Sequence, residues 1–313
     1  MIPTIEDVKA AARRIDGIVV RTPLLRCDSL DEAASARVFV KAECLQRGGA
    51  FKMRGATNAI LGLAPDVRAR GVIAFSSGNH AIAVSAAANL FGISATIVMP
   101  SDAPRIKLEI TRANGANVVA YDRVRESREE IGARLSAETG ASLIKPFDDP
   151  FVIAGQGTLG LEIGEEISPD VVLVPASGGG LVSGVALALP NAAIFAVEPE
   201  GHDDIARSLA AGSIQRNAPG IRSICDGLLS DTMGEIPFAI ARARFAGAVV
   251  VSDASVRRAM KFAFRNLKIV LEPSGAASLA ALLEGGLDIK GKTVALVASG
   301  GNVDADAFAA AIA

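Results

Sequence analysis

The chain has 313 residues, half of them hydrophobic, with 32 basic against 34 acidic side chains, no tryptophan and one tyrosine. That length and apolar content can bury a sizeable core and build two modest domains that share a cleft. Near-balanced charge and few aromatic rings offer neither a basic groove nor a base-stacking platform, so nucleic acid is not an expected partner.

The first predicted element is a helix. Thr4 caps it with Asp7 three residues on, and Val8, Ala11, Ala12 and Ile15 follow at helical spacing. This is not the pattern of a secretion signal, and no apolar run approaches the roughly 18 residues of a membrane span. Cys27, Cys44 and Cys225 are odd in number, far apart and without CxxC spacing, which predicts reduced thiols in the core. A cytoplasmic, membrane-free setting is expected.

Strands are predicted at Val38–Val40, Val72–Phe75, Ala95–Met99, Val118–Ala120, Val171–Val174, Ile194–Val197 and Val294–Val297. Alanine-rich helical stretches separate them, among them His80–Phe91, Ala103–Ala113 and the charged run Arg123–Glu138. Continuously apolar strands alternating with helices predict parallel sheets covered on both faces. The segment 70–147 is expected to form a small α/β domain, and 1–69 with 148–313 a larger one. Three strands end in similar loops: Ser76-Ser77-Gly78-Asn79-His80, Ser177-Gly178-Gly179-Gly180 and Ser299-Gly300-Gly301-Asn302. Ligands of open parallel sheets sit beyond the strands' carboxyl ends, where helix N-termini meet anions, so the three loops predict one shared site.

The most unusual segment is Gln46-Arg47-Gly48-Gly49-Ala50-Phe51-Lys52-Met53-Arg54-Gly55-Ala56. A lysine between large apolar residues loses hydration, its pKa falls, and its amine becomes a usable nucleophile or base. Taken singly, a lysine is more often a solvated surface charge.

The segment resembles the cofactor-lysine motif of the fold-type II pyridoxal-phosphate enzymes, the tryptophan synthase β-like group, and specifically the serine/threonine dehydratase and serine racemase family. The likeness extends in the family's order through Ser76–His80, Val152–Thr158, Ser177–Gly180, Glu272-Pro273-Ser274-Gly275 and Ser299–Asn302. It implies two parallel-type α/β domains with pyridoxal 5'-phosphate in the cleft between them, in a homodimer. Lys52 would carry the cofactor and act as base, Phe51 would pack near its ring, and Asn79 would bond its phenolic oxygen. Gly178, Gly179 and Gly180 would cradle its phosphate, and Ser299 would face its pyridine nitrogen; the alternative for Ser299 is the N-cap of the last helix.

By the same resemblance Ser76, Ser77, Asn79 and His80 would surround the substrate carboxylate, and Ser77 would exchange the α-proton in a racemase. His80 could equally be a capping or packing histidine. Arg128 and Ser230 would contact the substrate's distal group, although Arg128 also reads as a solvated face residue. Glu198, His202 and Asp204 match a divalent-cation loop in which two carboxylates and the His202 backbone carbonyl would bind Mg²⁺, Ca²⁺ or Mn²⁺, which hard oxygen ligands suit; the alternative is a solvated acidic turn.

The implied activity is an ammonia-lyase that converts a small β-hydroxy amino acid to a 2-oxo acid and ammonia. Ala50, where most serine and threonine dehydratases have serine, tilts the expected substrate toward 3-hydroxyaspartate, with threonine or serine close behind. The chain stops soon after Asn302, so no isoleucine-sensing domain is expected. A serine or aspartate racemase and a catalytically silent small-molecule sensor are the alternatives on this scaffold. A nucleotide-binding oxidoreductase would need a Gly-x-Gly-x-x-Gly fingerprint that the glycine run lacks.

Overall fold

A computed structural model describes all residues from Met1 to Ala313. Ten strands form two sheets: β1 (Leu24–Leu25), β2 (Arg37–Lys41), β3 (Val72–Phe75), β4 (Ala95–Pro100), β5 (Asn117–Tyr121), β6 (Ser142–Leu143), β7 (Val171–Pro175), β8 (Ala193–Pro199), β9 (Phe245–Val251) and β10 (Thr293–Val297). The larger sheet has the order β1-β2-β10-β7-β8-β9 and the smaller β5-β4-β3-β6. All pairings are parallel except β1 with β2.

Burial explains why these strands read as unbroken apolar runs. In β7, Val171 and Leu173 join the core on one face of the larger sheet, while Val172 and Val174 join a second core on the other. A third core joins β3 and β4 to the helices Asn79–Leu90 and Lys52–Gly62 through Val72, Ala74, Ile97, Val84, Met53 and Ile60. The Lys52 helix thus packs against the smaller sheet although its own N-terminus is tied to the larger one.

Helices approach closely where glycines face each other. A Cβ at Gly155, on the helix Pro150–Glu166, would lie 2.6 Å from the Gly55 Cα and 2.8 Å from the Arg54 carbonyl oxygen. Behind this contact Arg54, fully buried, bonds Glu43 at 2.8 Å and Glu162 at 2.6 Å. A fully buried cation held by two carboxylates keeps one geometry, and here it fixes the helical turn that follows Lys52.

All seven predicted strands are present, and the first helix runs Ile5–Ile15 with the Thr4 backbone amide bonded to Asp7 Oδ2 at 2.8 Å. The helix expected from Arg123 begins instead at Arg128. Asp122 accepts from the Val124 amide at 2.9 Å and makes a turn, and the Ser127 hydroxyl caps the helix by accepting from Glu130. The predictions omitted β9, an edge strand whose Ala246-Gly247-Ala248 interrupts its apolar pattern, and the two-residue β1 and β6. All three cysteines are free thiols. No helix is long and apolar enough to cross a membrane.

Candidate active site

Backbone pairing between distant segments builds the centre of the cleft. Gly48 and Gly49, at φ 70 and 72, turn the chain so that Ala50 bridges Gly300 and the Phe51 amide bonds the Ser299 carbonyl at 3.0 Å. This stitching sets Lys52 beside Ser299 at the carboxyl end of β10. Lys52 Nζ donates to the Pro146 carbonyl at 2.6 Å and lies 5.1 Å from the Phe51 ring centre. Burial, with no carboxylate partner, pushes its pKa down to about 8.

Opposite Lys52, β7 runs into Ser177–Gly180 and the helix Gly180–Ala188. The first amides of a helix have no partner within it and carry its positive end, so this loop suits an anion. Glycine is required here twice over. Gly179 sits at φ 90, and a Cβ at Gly178 would run into the Phe147 ring at 2.3 Å.

The third loop follows β3. Gly78 bonds the Ser76 hydroxyl at 3.0 Å, and the helix Asn79–Leu90 points its N-terminus into the cleft. His80 is buried, its Nε2 is 2.9 Å from the Ile144 carbonyl, and its Nδ1 has no partner. Burial first, and then the nearby Lys52, push its pKa down to about 3. The imidazole is therefore neutral, with Nε2–H assigned as donor to Ile144.

Phe51, Lys52, Ser76, Ser77, Asn79, His80, Arg128, Gly178, Gly179, Gly180, Ser230 and Ser299 all line this one cleft. Ser299 is not the N-cap of the last helix, which starts at Ala305 behind Asp304. Arg128 stands half in solvent, bonded to Glu129 at 2.8 Å, with its guanidinium 5.3 Å from the Phe75 ring centre. Ala50, in contrast, is 2% exposed beneath Gly300 and outside the lining, so it can influence a substrate only through backbone placement.

The expected cation loop, with the carboxylates of Glu198 and Asp204 and the carbonyl of His202, lies outside the cleft lining. No three His, Cys, Asp or Glu side chains converge to hold a metal. Glu198 accepts from the Ile205 and Ala206 amides at 2.8 and 2.9 Å, and Asp204 from Asn217 and the Met233 amide, both at 2.7 Å. The His202 ring faces the Ile221 carbonyl at 3.2 Å. These carboxylates accept from helix and loop donors, and burial raises the pKa of both, that of Glu198 to about 8.

Three charged lining residues escaped the sequence reading of the site: Lys107, Asp226 and Glu272. Lys107 Nζ lies 2.7 Å from Asp226 and 2.9 Å from Glu272. Glu272 stands in a motif already singled out without a role, whereas nothing in the local sequence distinguishes Lys107 or Asp226.

An unpaired, desolvated lysine facing an anion cradle at a helix N-terminus defines an enzyme site for a phosphorylated carbonyl cofactor. The donor set fits pyridoxal phosphate: an amine for its aldehyde, amides for its phosphate and a neutral hydroxyl, Ser299, near the lysine.

Comparison with known proteins agrees. The pyridoxal-phosphate dependent enzyme family matches residues 15–300, and the chain belongs to it. It is 43% identical to the L-threo-3-hydroxyaspartate ammonia-lyase of Saccharomyces cerevisiae, over 100% of this chain and 97% of that protein. It is 42% identical to a serine racemase of Arabidopsis thaliana, over 95% of this chain and 92% of the relative. The solved structure of maize serine racemase superposes with a TM-score of 0.94 at 40% identity, covering 98% of this chain and 95% of that one.

Proposed function

We propose that this pyridoxal-phosphate dependent ammonia-lyase acts on 3-hydroxyaspartate in preference to serine or threonine, releasing oxaloacetate and ammonia. Arg128 carries the preference. It is the guanidinium on the cleft wall, and a planar cation with paired donors suits a second carboxylate that serine and threonine lack.

When bound, the cofactor supplies an aldehyde that holds the substrate amine and a conjugated ring that accepts charge from the α-carbon. Lys52 would hold the cofactor and then take the α-proton; an amine with a pKa near 8 keeps a basic fraction at neutral pH. Gly178, Gly179 and Gly180 would hold the phosphate, and Asn79 the phenolic oxygen. The helix N-terminus at Ser76, Ser77, Asn79 and His80 would orient the α-carboxylate, and Ser230 would lie toward the distal group. The ring of His80 would contribute as a neutral group. Loss of the α-proton and of the β-hydroxyl as water, followed by hydrolysis, balances to one 2-oxo acid and one ammonia.

The natural division for this work is 70–147 as a small domain over 1–69 with 148–313. Serine racemisation is the second reading, supported by Ser77 in the same cleft as Lys52. Assay of 2-oxo acid release from L-threo-, D-threo- and erythro-3-hydroxyaspartate, L-serine and L-threonine tests the preference. A hydroxyaspartate isomer is expected to lead in kcat/KM; serine or threonine leading would refute the Arg128 argument.

A further inference from the structure

Lys107 stands on the helix Arg105–Ala113 beside the smaller sheet and is 1% exposed, yet both its carboxylate partners, Asp226 and Glu272, belong to the segment that builds the larger sheet. Its stem lies under the Ser76–Asn79 loop: a Cβ at Gly78 would be 3.1 Å from Lys107 Cδ and 3.3 Å from its Nζ. From Glu272 the connection runs on to Asn79, whose Nδ2 donates to Glu272 Oε1. Asn302 Nδ2 in turn donates to Asn79 Oδ1 at 2.9 Å and to the Gly48 carbonyl at 2.7 Å.

This chain of bonds fixes which way the Asn79 carboxamide faces. The Gly48 carbonyl holds the amino end of Asn302 in place, so Asn79 must offer its oxygen there and its nitrogen to an ionised Glu272. One Nδ2 proton is used on Glu272. The other remains for the cleft that Asn79 lines.

The geometry points to Lys107 as a positioning residue that keeps Glu272 ionised, and thereby holds the second Nδ2 proton of Asn79 toward the phenolic oxygen of the cofactor. Glu272 is buried next to a like charge, Asp226, and both conditions disfavour a carboxylate. Lys107 is the cation that opposes them. Without it Glu272 takes up a proton, its hydroxyl competes for the Asn79 oxygen, and the amide loses the ionic half of its lock. The inference rests on the reading of Asn79 as the cofactor's donor.

The test titrates apoenzyme with pyridoxal phosphate and reads the dissociation constant, the absorption maximum of the bound cofactor and the melting temperature of the apo form. Lys107→Met should bind about tenfold more weakly, a loss of roughly 1.4 kcal/mol, with the maximum displaced in the same direction as in Asn79→Ala. Lys107→Met with Asp226→Asn leaves no unpaired charge once Glu272 is protonated, so it should melt near wild type while the weak binding and displaced maximum persist; this variant also decides the matter if the single one does not fold. Wild-type affinity and spectrum in either Lys107 variant, with Asn79→Ala displaced, would overturn the inference alone. An unchanged spectrum in Asn79→Ala would overturn the Asn79 reading and the inference with it.

Discussion

Lys52 Nζ rests 2.6 Å from the Pro146 carbonyl oxygen, and its lowered pKa has burial as its sole cause. A structural lysine at such depth brings a carboxylate with it, as Lys41 does with Glu162 and Lys107 with Glu272. Lys52 brings none, which is the state expected of an amine kept for a carbonyl.

That solitude has a measurable consequence in the apoenzyme. An amine whose pKa falls from 10.5 to about 8 binds fewer protons in the folded than in the unfolded chain between those values. Stability should therefore rise with pH through this window, and the full penalty should remain below it. Lys52→Met should be more stable than wild-type apoenzyme at neutral pH by on the order of 1 kcal/mol, allowing for water that reaches the cleft, and the difference should vanish near pH 10.5. Urea unfolding at several pH values checks it.

Arg128→Met should lower kcat/KM for 3-hydroxyaspartate by about 10- to 100-fold, the value of one charge-assisted contact. L-serine, with no second carboxylate, should change only slightly. Equal losses on both substrates would assign Arg128 to holding the Phe75 wall.

Ser77→Ala should remove interconversion of L- and D-serine and leave elimination from a preferred L-substrate within a few-fold of wild type. Chiral chromatography of serine in deuterated water reads both reactions in one sample. Racemisation that survives the change would exclude Ser77 as the second proton carrier.

Gly155→Ala should cost about 3 kcal/mol, because the added methyl meets backbone of the Lys52 helix that cannot step aside. Thermal unfolding of the apo form gives the cost. Cofactor affinity should fall in parallel, since the displaced helix begins at Lys52.

Much of this was readable from the chain. The central parallel strands announced themselves because both their faces are buried, and the three loops because glycine and serine are what strand ends need around an anion. What stayed hidden has physical reasons. β9 is an edge strand that is mostly half-buried and breaks its pattern at Gly247. Arg123–Ser127 has helical composition, but the Asp122 side chain captures the backbone first. Lys107 and Asp226 lie 119 positions apart and acquire meaning only when two sheets meet. The donors that Glu198 and Asp204 meet, the Ile205, Ala206 and Met233 amides and the Asn217 side chain, are likewise set by the fold and not by local pattern.

The most direct test of the assignment is the release of oxaloacetate and ammonia from L-threo-3-hydroxyaspartate by purified protein supplied with pyridoxal phosphate, beside Lys52→Ala. Equimolar release of both products by the wild type, absent from a folded Lys52→Ala variant, is the predicted result. Cofactor binding at Lys52 without turnover of hydroxyaspartate, serine or threonine would contradict it and leave a sensor on this scaffold.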